Sequence, residues 1–310
     1  MTSIRSTFPS TSNREAVSSR VPAFYRGVML PEYMPALVTP FTKSGVIDLK
    51  AHTHNMRFLA NVGIEGFLIG GSNGEGPYLE PGERDRLVKA GRRRKTHLMV
   101  GINAETTRVA VAQINEATNA GADSVLIITP TTLTRGRDQY LLDYFEAVAD
   151  TSSVPVFLYS VPPVTAYSLS LDLVTRLARH PNIIGMKDSS GDVVRLQSII
   201  DVTPTSFILY TGASKALTGA MAVGCHGAIT GSGNYAPELV LETLARAKQG
   251  PVSARRLQKR LSRLSGHVDT LGIPGVKAAA KAAGLEPGYP RAPLTRLPRG
   301  AETSIAKLIT

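Results

Sequence analysis

A single lysine, Lys187, ends an apolar run in the stretch NIIGMKDSSGD, residues 182–192. Ile183, Ile184 and Met186 are typical of a buried strand, so the amine of Lys187 would lie where that strand ends. Burial disfavours the charged form of an amine, and a neutral lysine amine is a nucleophile that forms a Schiff base with a carbonyl compound. Lys187 is therefore a candidate catalytic residue. The alternative is a structural lysine whose ammonium group reaches the solvent.

Tyr159 ends a second apolar run, VPVFLYSVP. Schiff-base chemistry needs a group beside the amine that takes up and returns protons, and a phenol can do so. The alternative is a core tyrosine whose hydroxyl group is hydrogen-bonded. Position alone leaves both interpretations open.

A glycine-rich stretch, GGSNGEGPYLEPGER, follows the apolar residues FLI and precedes a helical pattern. Backbone N–H groups at such a position can point at an anion, and Gly70, Gly71 and Gly74 allow tight turns. No Gly-Lys-Ser/Thr follows and the G-x-G-x-x-G spacing is absent, so neither nucleotide-binding pattern is present. The stretch predicts a site for the carboxylate of a small oxo acid rather than for a nucleotide.

The remaining residue types give no sign of a metal or a cofactor. His52 and His54 are two positions apart in a predicted helix and face different directions. The other histidines are scattered, unlike a metal-ligand cluster. Cys225 is the only cysteine and has small, apolar neighbours, which favours a packing role. We therefore predict no metal and no cofactor.

The chain is basic, with 35 Lys and Arg against 24 Asp and Glu and a formal charge of +11. The densest basic cluster, Arg92 to Lys95, ends the segment ERDRLVKAGRRRK, where acids first and cations last suit the dipole of one helix. No aromatic residues interleave the cluster and no nucleic-acid motif accompanies it. No run approaches the roughly 18 apolar residues of a membrane helix. We predict neither nucleic acid nor a membrane as a partner.

The first 26 residues contain four arginines and one acid among many Ser and Thr. Such a composition resembles a mitochondrial transit peptide, and a disordered tail is the alternative. The compartment therefore stays open between cytoplasm and mitochondrial matrix. Residues 1–30 are predicted to form an N-terminal tail.

Eight short apolar runs recur from Met34 onward, and helical patterns such as TRVAVAQINEATNAGA separate them. Each run is too short for a helix and rich in Val, Ile, Leu and aromatics, as buried parallel strands are. Strands that alternate with helices predict a parallel sheet, and eight of them in about 200 residues predict a (β/α)8 TIM barrel over residues 31–236. The runs are MPALVT, GFLIGG, LMVGI, SVLIITP, VPVFLYS, NIIGMK, FILYTG and GAITG.

From Pro237 onward the pattern is helical, which predicts a C-terminal helical extension, residues 237–310, packed on the barrel. Active-site groups of a barrel come from the C-terminal ends of its strands and the loops that follow. Lys187 is the only one of the eleven lysines at such a strand end. The residues at the strand ends are Thr39, Ser72, Asn73, Thr129, Tyr159, Lys187, Gly212 and Thr230.

The stretch GFLIGGSNGEGPYLEPGE resembles the Gly-Ser/Thr-x-Gly-Glu signature of the dihydrodipicolinate synthase/N-acetylneuraminate lyase family, which are class I pyruvate aldolases. VPVFLYSVP and IIGMKDSSGD resemble its two other signature strands, which carry the tyrosine and the Schiff-base lysine, and GYPRAPL fits as well. The resemblance runs from about Met34 to Leu294. It implies a (β/α)8 barrel, a pyruvate-derived imine and a homotetramer, a dimer of dimers.

The resemblance also implies roles for individual residues. Lys187 would form the imine and Tyr159 would relay protons. Ser72 would hydrogen-bond that tyrosine and, with Asn73, hold the pyruvate carboxylate through side chains and backbone N–H groups. Three further positions match residues that line the family's pocket: Ser189, Gly212 and Ile229.

Two departures from the family pattern bear on the reaction. The synthases carry an arginine five residues beyond the tyrosine to hold the carboxylate of aspartate semialdehyde, whereas this chain has Val164. A valine cannot replace a bidentate guanidinium group. The family often has a tyrosine after the fourth strand that reaches across a subunit interface, whereas this chain offers Thr131 and Thr132. Water would then substitute in the proton relay.

Within the family, VPVFLYSVPPVT and HPNIIGMKDSSGDVVR are most similar to the 4-hydroxy-2-oxoglutarate aldolases, and GSNGE and GIPGVK, residues 272–277, agree with that. The implied reaction is retro-aldol cleavage to pyruvate and glyoxylate, with Arg135 and Arg137 in a loop suited to the anionic glyoxylate end. One alternative is an aldolase for 3-deoxy-2-oxo sugar acids. Others are the synthase-type condensation, which Val164 disfavours, and a non-catalytic barrel protein.

Overall fold

The computed structural model describes residues 24–25 and 28–309. The predicted N-terminal tail, and with it the transit-peptide question, therefore lies almost wholly outside the described residues. Within the first 30 residues, Phe24–Tyr25 pairs with Val28–Met29 in a short antiparallel ladder. Residues 31–310 form one compact unit.

Eight parallel strands form the predicted (β/α)8 barrel, and each of the eight apolar runs overlaps one strand. Each strand pairs with its neighbours, β8 pairs with β1, and a bridge between Ala36 and Leu68 joins β1 to β2. The strands are buried almost throughout, which is why their sequences are continuous apolar runs rather than alternating ones. They are β1 Tyr33–Pro35, β2 Gly66–Ile69, β3 His97–Ile102, β4 Ser124–Ile128, β5 Val156–Ser160, β6 Ile183–Asp188, β7 Ile208–Thr211 and β8 Gly227–Thr230.

Eight helices alternate with these strands around the outside of the barrel. Several begin at a side-chain cap, because the side chains of Asp48, Thr106, Ser170 and Asp192 accept hydrogen bonds from N–H groups of the first turn. The helices are α1 Leu49–Asn61, α2 Glu83–Gly91, α3 Thr107–Asn119, α4 Asp138–Thr151, α5 Leu171–Leu177, α6 Val193–Val202, α7 Leu217–Val223 and α8 Pro237–Lys248.

The predicted position of the basic cluster within a helix is wrong. Helix α2 ends at Gly91, so Lys89 is the basic residue of its last turn and the cluster lies in the connection to β3. Arg92 turns its guanidinium group back onto Asp123, at 2.8 Å, and Lys95 adopts a positive φ of 66°. A specific ion pair and a tight turn therefore outweigh the weak attraction of cations to a helix C-terminus.

Three further helices follow α8: α9 Pro251–Asp269, α10 Gly272–Ala282 and α11 Arg299–Ile309. Helix α8 directly follows the loop after β8 and completes the eighth strand–helix unit. The apolar side chains Val276 and Ala279 of α10 and Ile305 of α11 form one buried cluster with Val38, which follows β1. The C-terminal helices thus share a core with the barrel's first loop. The boundary at residue 237 stays a prediction.

Candidate active site

The predicted nucleophile and the predicted proton carrier lie side by side at the C-terminal end of the barrel. Strands β5 and β6 place Tyr159 opposite Lys187, so the two side chains share the same face of the sheet. The Nζ atom of Lys187 lies 4.3 Å from the centre of the Tyr159 ring. Both residues are buried, with 3% and 5% of their surfaces exposed.

Ser72 lies beside Tyr159 at the start of the glycine-rich loop after β2. The Oγ atom of Ser72 is 3.4 Å from the phenol oxygen of Tyr159, and either hydroxyl group can donate. The same loop turns back on itself, since the N–H of Glu75 donates to the carbonyl of Ser72 and the N–H of Gly76 to that of Gly71. The loop therefore brings its serine to the tyrosine.

The surroundings of Tyr159 favour its phenolate form. Burial alone would raise the pKa of the phenol, but the charge of Lys187 and hydrogen bonds with Ser72, Ser189 and Lys187 outweigh it. The pKa of Tyr159 is therefore held below its usual range. A phenol of this kind can take up and return a proton more readily than one in water.

Gly212 and Ser189 lie against the side chain of Lys187. A β-carbon at position 212 would come within 1.8 Å of Ser189 Oγ and 2.9 Å of Lys187 Cε, so any side chain there would have to displace both of these groups. The two residues also extend the ladder between strands, because the N–H of Gly212 donates to the carbonyl of Asp188 and the N–H of Ser189 to that of Ser160. Both predicted pocket residues thus contact the predicted nucleophile or its neighbour.

Asn73 and Ile229 occupy the β2 and β8 sides of the barrel mouth. Asn73 approaches the backbone after β8, since a β-carbon at Gly231 would lie 2.7 Å from its Nδ2 atom. Ile229 is fully buried in β8. The registers that align Lys187 with Tyr210, and Tyr210 with Gly227, put Ile229 on the same inward face two residues further along.

The threonines at the other predicted strand ends bind protein groups. Thr39 Oγ1 donates to the carbonyl of Gly74 at 2.6 Å, and Thr129 Oγ1 donates to that of Tyr159 at 3.0 Å. Thr230 Oγ1 lies 3.0 Å from the hydroxyl of Tyr33. Their hydroxyl groups brace the loops and strands that carry the other site residues.

A buried ion pair beside Lys187 was not predicted from the sequence. Asp188 is fully buried, and Arg195 Nε lies 2.9 Å from its Oδ2 atom. Arg195 also donates to the carbonyl of Leu169 at 2.7 Å. The carboxylate next to the predicted nucleophile is therefore neutralised by an arginine. A signal was present, since KDSSGDVVR places an acid at a strand end and a cation in the following helix.

The two departures from the family pattern lie at the rim of the barrel mouth. Val164 is 65% exposed on a one-turn helix, Pro162–Thr165, directly after β5. The N–H groups of Thr131 and Thr132 donate to the carboxylate of Glu105, at 3.1 Å and 2.9 Å to its Oε2 atom. That carboxylate therefore ties the loop after β4 to the loop after β3.

A second candidate site within residues 28–309 contains none of the site residues named above. A groove of about 960 Å³ lies outside the barrel between α8, α9 and α11, and its rim carries Arg256, Lys259, Arg260 and Arg263. Among the described residues, no group of three His, Cys, Asp or Glu side chains could hold a metal ion. None of the helices within residues 28–309 is both long and apolar enough to cross a membrane.

Comparison with known sequences gives matches over nearly the whole chain. The model of the Dihydrodipicolinate synthetase family matches residues 29–310. The 4-hydroxy-tetrahydrodipicolinate synthase of Laribacter hongkongensis is 33% identical over 285 residues, which cover 89% of this chain and 97% of that protein. The 4-hydroxy-tetrahydrodipicolinate synthase 1 of Streptomyces coelicolor is 34% identical and covers 84% and 86%.

Solved structures show the same architecture. The dihydrodipicolinate synthase of Acinetobacter baumannii, complexed with pyruvate, superimposes with a TM-score of 0.83 at 28% identity, over 89% of this chain and 97% of that one. A prophage protein of Escherichia coli K12 from the dihydrodipicolinic acid synthase family, also in complex with pyruvate, gives 0.83 at 27% identity, over 89% and 96%. Both relatives share the barrel fold described above, and both structures are complexes with pyruvate.

Proposed function

The chain belongs to the dihydrodipicolinate synthetase family, and we propose that it cleaves a 4-hydroxy-2-oxo acid, 4-hydroxy-2-oxoglutarate first of all, to pyruvate and glyoxylate. The family makes it a pyruvate-using Schiff-base aldolase or synthase. The observation that carries the proposal is the pairing of Lys187 with Tyr159, 4.3 Å from amine to ring centre, inside a barrel mouth with Val164 at its rim.

Lys187 is the nucleophile of the proposed reaction. Its neutral amine adds to the C2 carbonyl of the substrate. Tyr159 then gives its proton to the carbinolamine hydroxyl, which leaves as water, so that a protonated imine and a tyrosine phenolate remain. Tyr159 takes the proton of the C4 hydroxyl as the C3–C4 bond breaks, and glyoxylate leaves as the aldehyde. The electron pair of that bond moves into the imine and forms an enamine. A proton returns to C3, and water hydrolyses the imine to release pyruvate and the free lysine.

The glycine-rich loop is the proposed binding site for the C1 carboxylate. Within the described residues, the backbone N–H groups of Ser72 and Asn73 donate to no protein acceptor. Adjacent free N–H groups in a turn form a concave site for an anion. Ser72 also contacts Tyr159, so the group that holds the carboxylate lies next to the group that moves the proton. This arrangement supports a 2-oxo acid with its carboxylate next to the reacting carbonyl.

The second candidate reaction is the condensation of pyruvate with aspartate semialdehyde. The names of the curated relatives favour it, since they are 4-hydroxy-tetrahydrodipicolinate synthases at about one-third identity. Val164 disfavours it, because an exposed valine offers no charge to the semialdehyde carboxylate. The third candidate reaction is cleavage of a 3-deoxy-2-oxo sugar acid. It would use the same lysine nucleophile, and the experiment below also tests it.

The test is pyruvate release from 4-hydroxy-2-oxoglutarate by the wild-type protein. Lys187→Ala should lower the rate by on the order of 10³-fold or more, because the covalent route is lost. Lys248→Ala, which changes an exposed lysine, serves as the matched control. If the wild-type protein forms an imine with pyruvate but releases none from 4-hydroxy-2-oxoglutarate, the proposed substrate is wrong and the Schiff-base mechanism stands.

The homotetramer is part of the same proposal. Leu133 and Tyr140 are 89% and 61% exposed, and both follow β4. Val164, which is also exposed, follows the neighbouring strand β5. Exposed apolar side chains that gather at one end of a molecule favour an interface. The molar mass in solution, measured by light scattering, would contradict this part of the proposal if it equalled that of one chain.

A further inference from the structure

A second buried lysine, Lys277, lies in α10, outside the barrel mouth. Only 3% of its surface is exposed. Its Nζ atom lies 2.6 Å from Oε1 of Glu75 and donates to the carbonyls of Thr39, at 2.8 Å, and Tyr289. An ammonium group has three N–H donors. Lys277 therefore donates two hydrogen bonds to backbone carbonyls and forms an ion pair with a carboxylate of the loop that carries Ser72 and Asn73.

Glu75 ends that glycine-rich loop in a conformation that needs support. Its φ of 55° lies in the left-handed region, which is unfavourable for residues with a β-carbon. Its side chain is 1% exposed, and its second oxygen, Oε2, accepts the N–H of Arg291 at 2.7 Å. The carboxylate is thus bound from two sides, by α10 and by the segment after it.

Thr39 gives Lys277 a second connection to the same loop. The carbonyl of Thr39 accepts from Lys277, and its hydroxyl donates to the carbonyl of Gly74 at 2.6 Å. Gly74 follows Asn73 directly, and the N–H of Glu75 donates to Ser72. The ammonium group is therefore connected to Ser72 through its ion pair with Glu75, and to Gly74, the neighbour of Asn73, through the hydrogen bonds of Thr39.

Stability alone is a poor explanation for this ion pair. Removing two charges from water costs more than their attraction commonly returns, so apolar residues of similar size would stabilise the fold at least as well. An apolar pair, however, could not hold the strained residue Glu75 in place through one short contact between opposite charges. A positioning role accounts for the charge, the burial and the geometry together.

We propose that Lys277 is a positioning residue, which through Glu75 and Thr39 holds Ser72 and Asn73 where the carboxylate of the 2-oxo acid binds. The helical extension thereby completes the substrate site of the barrel. This inference rests on the proposed function of Lys187 and the glycine-rich loop. Lys277 acts on binding of the oxo acid, because none of its contacts reaches Lys187, Tyr159 or the reacting carbonyl.

The experiment measures imine formation with pyruvate, trapped by borohydride, over a range of pyruvate concentrations. The variants are Glu75→Gln, Lys277→Met and the double variant. Glu75→Gln keeps the shape of the side chain and leaves Lys277 its two carbonyl acceptors, so it is the variant most certain to fold. Lys248→Met is the matched control, because Lys248 pairs with Glu32 on the surface, with the two side chains 47% and 49% exposed.

Glu75→Gln and Lys277→Met should each raise the half-saturating pyruvate concentration by about tenfold, with much less change in the trapping rate at saturation, because a misplaced binding loop weakens binding first. The double variant should resemble Lys277→Met, because the ion pair and the contact with Thr39 are already lost in that single variant. Lys248→Met should match the wild type.

Half-saturation within about twofold of the wild type in folded Glu75→Gln would overturn the inference and leave the proposed function intact. The same result in the double variant decides the matter if Lys277→Met does not fold. No trapping by the wild type at any pyruvate concentration would instead overturn the proposed function, and this inference with it.

Discussion

Lys187 and Lys277 are both 3% exposed and both lie near an aromatic ring, yet their surroundings differ in charge. Lys277 has a carboxylate at 2.6 Å and two backbone carbonyls, whereas the carboxylate next to Lys187, that of Asp188, is paired with Arg195. An ion-paired ammonium has no lone pair with which to attack a carbonyl group. Both lysines are thus equally buried. What distinguishes the candidate nucleophile, Lys187, from the structural cation, Lys277, is which of them is paired with a carboxylate.

The comparison also shows that a shifted pKa does not by itself identify a nucleophile. Burial lowers the pKa of Lys277 to about 8, although Glu75 opposes the shift and Arg291 adds to it. This amine nevertheless donates to two backbone carbonyls, is ion-paired with Glu75 and lies away from the barrel mouth. Geometry, rather than titration, makes Lys187 the candidate nucleophile.

After the loss of Lys187 itself, the largest effect expected at the mouth comes from the tyrosine beside it. Tyr159→Phe should lower the rate of substrate cleavage by about 10²- to 10³-fold, because a general acid–base group is lost while the amine remains. Steady-state kinetics would measure it. Tyr210→Phe is the matched control, because Tyr210 flanks Lys187 on the other side and only donates to the carbonyl of Pro31. Equal losses of activity in Tyr159→Phe and Tyr210→Phe would contradict the role of Tyr159 as the group that transfers the proton.

The largest effect at the second lysine should be on stability. Lys277→Met leaves the Glu75 carboxylate buried without its cation, which should lower the free energy of unfolding by about 3–5 kcal/mol. The double variant Glu75→Gln/Lys277→Met removes both charges and should recover part of that loss. Denaturant unfolding would measure both. A double variant less stable than Lys277→Met would contradict the account of a buried, uncompensated charge.

A smaller effect is expected where the mouth depends on a missing side chain. Gly212→Ala should lower kcat/KM by about tenfold, because the new methyl group would displace Ser189 and Lys187. The Ser189 hydroxyl is the nearest obstacle to that methyl group. Gly212→Ala should therefore lower kcat/KM by a smaller factor in the Ser189→Ala background than in the wild type. Gly300→Ala in α11 is the control outside the mouth, because a β-carbon there has free space and, as at Gly212, φ is not positive. No loss in Gly212→Ala would mean that the close approach is absent in solution.

The smallest expected effect is a pH dependence that belongs to Lys277. Its pKa of about 8 means that the ion pair with Glu75 is lost as pH rises through that value. The half-saturating pyruvate concentration should therefore rise by about threefold from about pH 7 to about pH 9.5. The rise should be much smaller in Glu75→Gln, where no ion pair exists to lose. An equal rise in both proteins would assign the titration to another group, with Tyr159 the first candidate.

The same shift has the opposite sign for stability. The pKa of Lys277 is lower in the folded chain than the ordinary 10.5 of an exposed lysine, so between about 8 and 10.5 the unfolded chain binds more protons. The contribution of this group to folding stability therefore increases with pH across that window. If pyruvate binds more weakly at a pH where the free energy of unfolding has not fallen, the weaker binding comes from the position of the loop and not from unfolding.

Much of the barrel mouth could be predicted from short stretches of sequence. Buried parallel strands are continuous apolar runs, so each strand end, including those at Lys187 and Tyr159, could be read locally. The basic cluster was misplaced because the partner that turns Arg92 back, Asp123, lies on the far side of the next strand. Charge order along one segment does not contain that information.

The connection between the mouth and the C-terminal extension could not be predicted. Glu75 and Lys277 lie about 200 residues apart in the chain, and neither local pattern names the other as its partner. The motifs GSNGE and GIPGVK are each recognisable in the sequence, but only the folded chain shows that an ion pair joins them. Contacts across such distances depend on tertiary packing, which hydrophobic periodicity does not encode.

The most direct test of the central claim is to identify the lysine that carries pyruvate after borohydride reduction. The wild-type protein would be trapped, digested and mapped by mass spectrometry. We expect the reduced adduct on Lys187 alone, with no adduct on Lys277, although both amines are equally buried. An adduct on Lys277 or on another lysine, or none on Lys187, would contradict the assignment of Lys187 as the nucleophile.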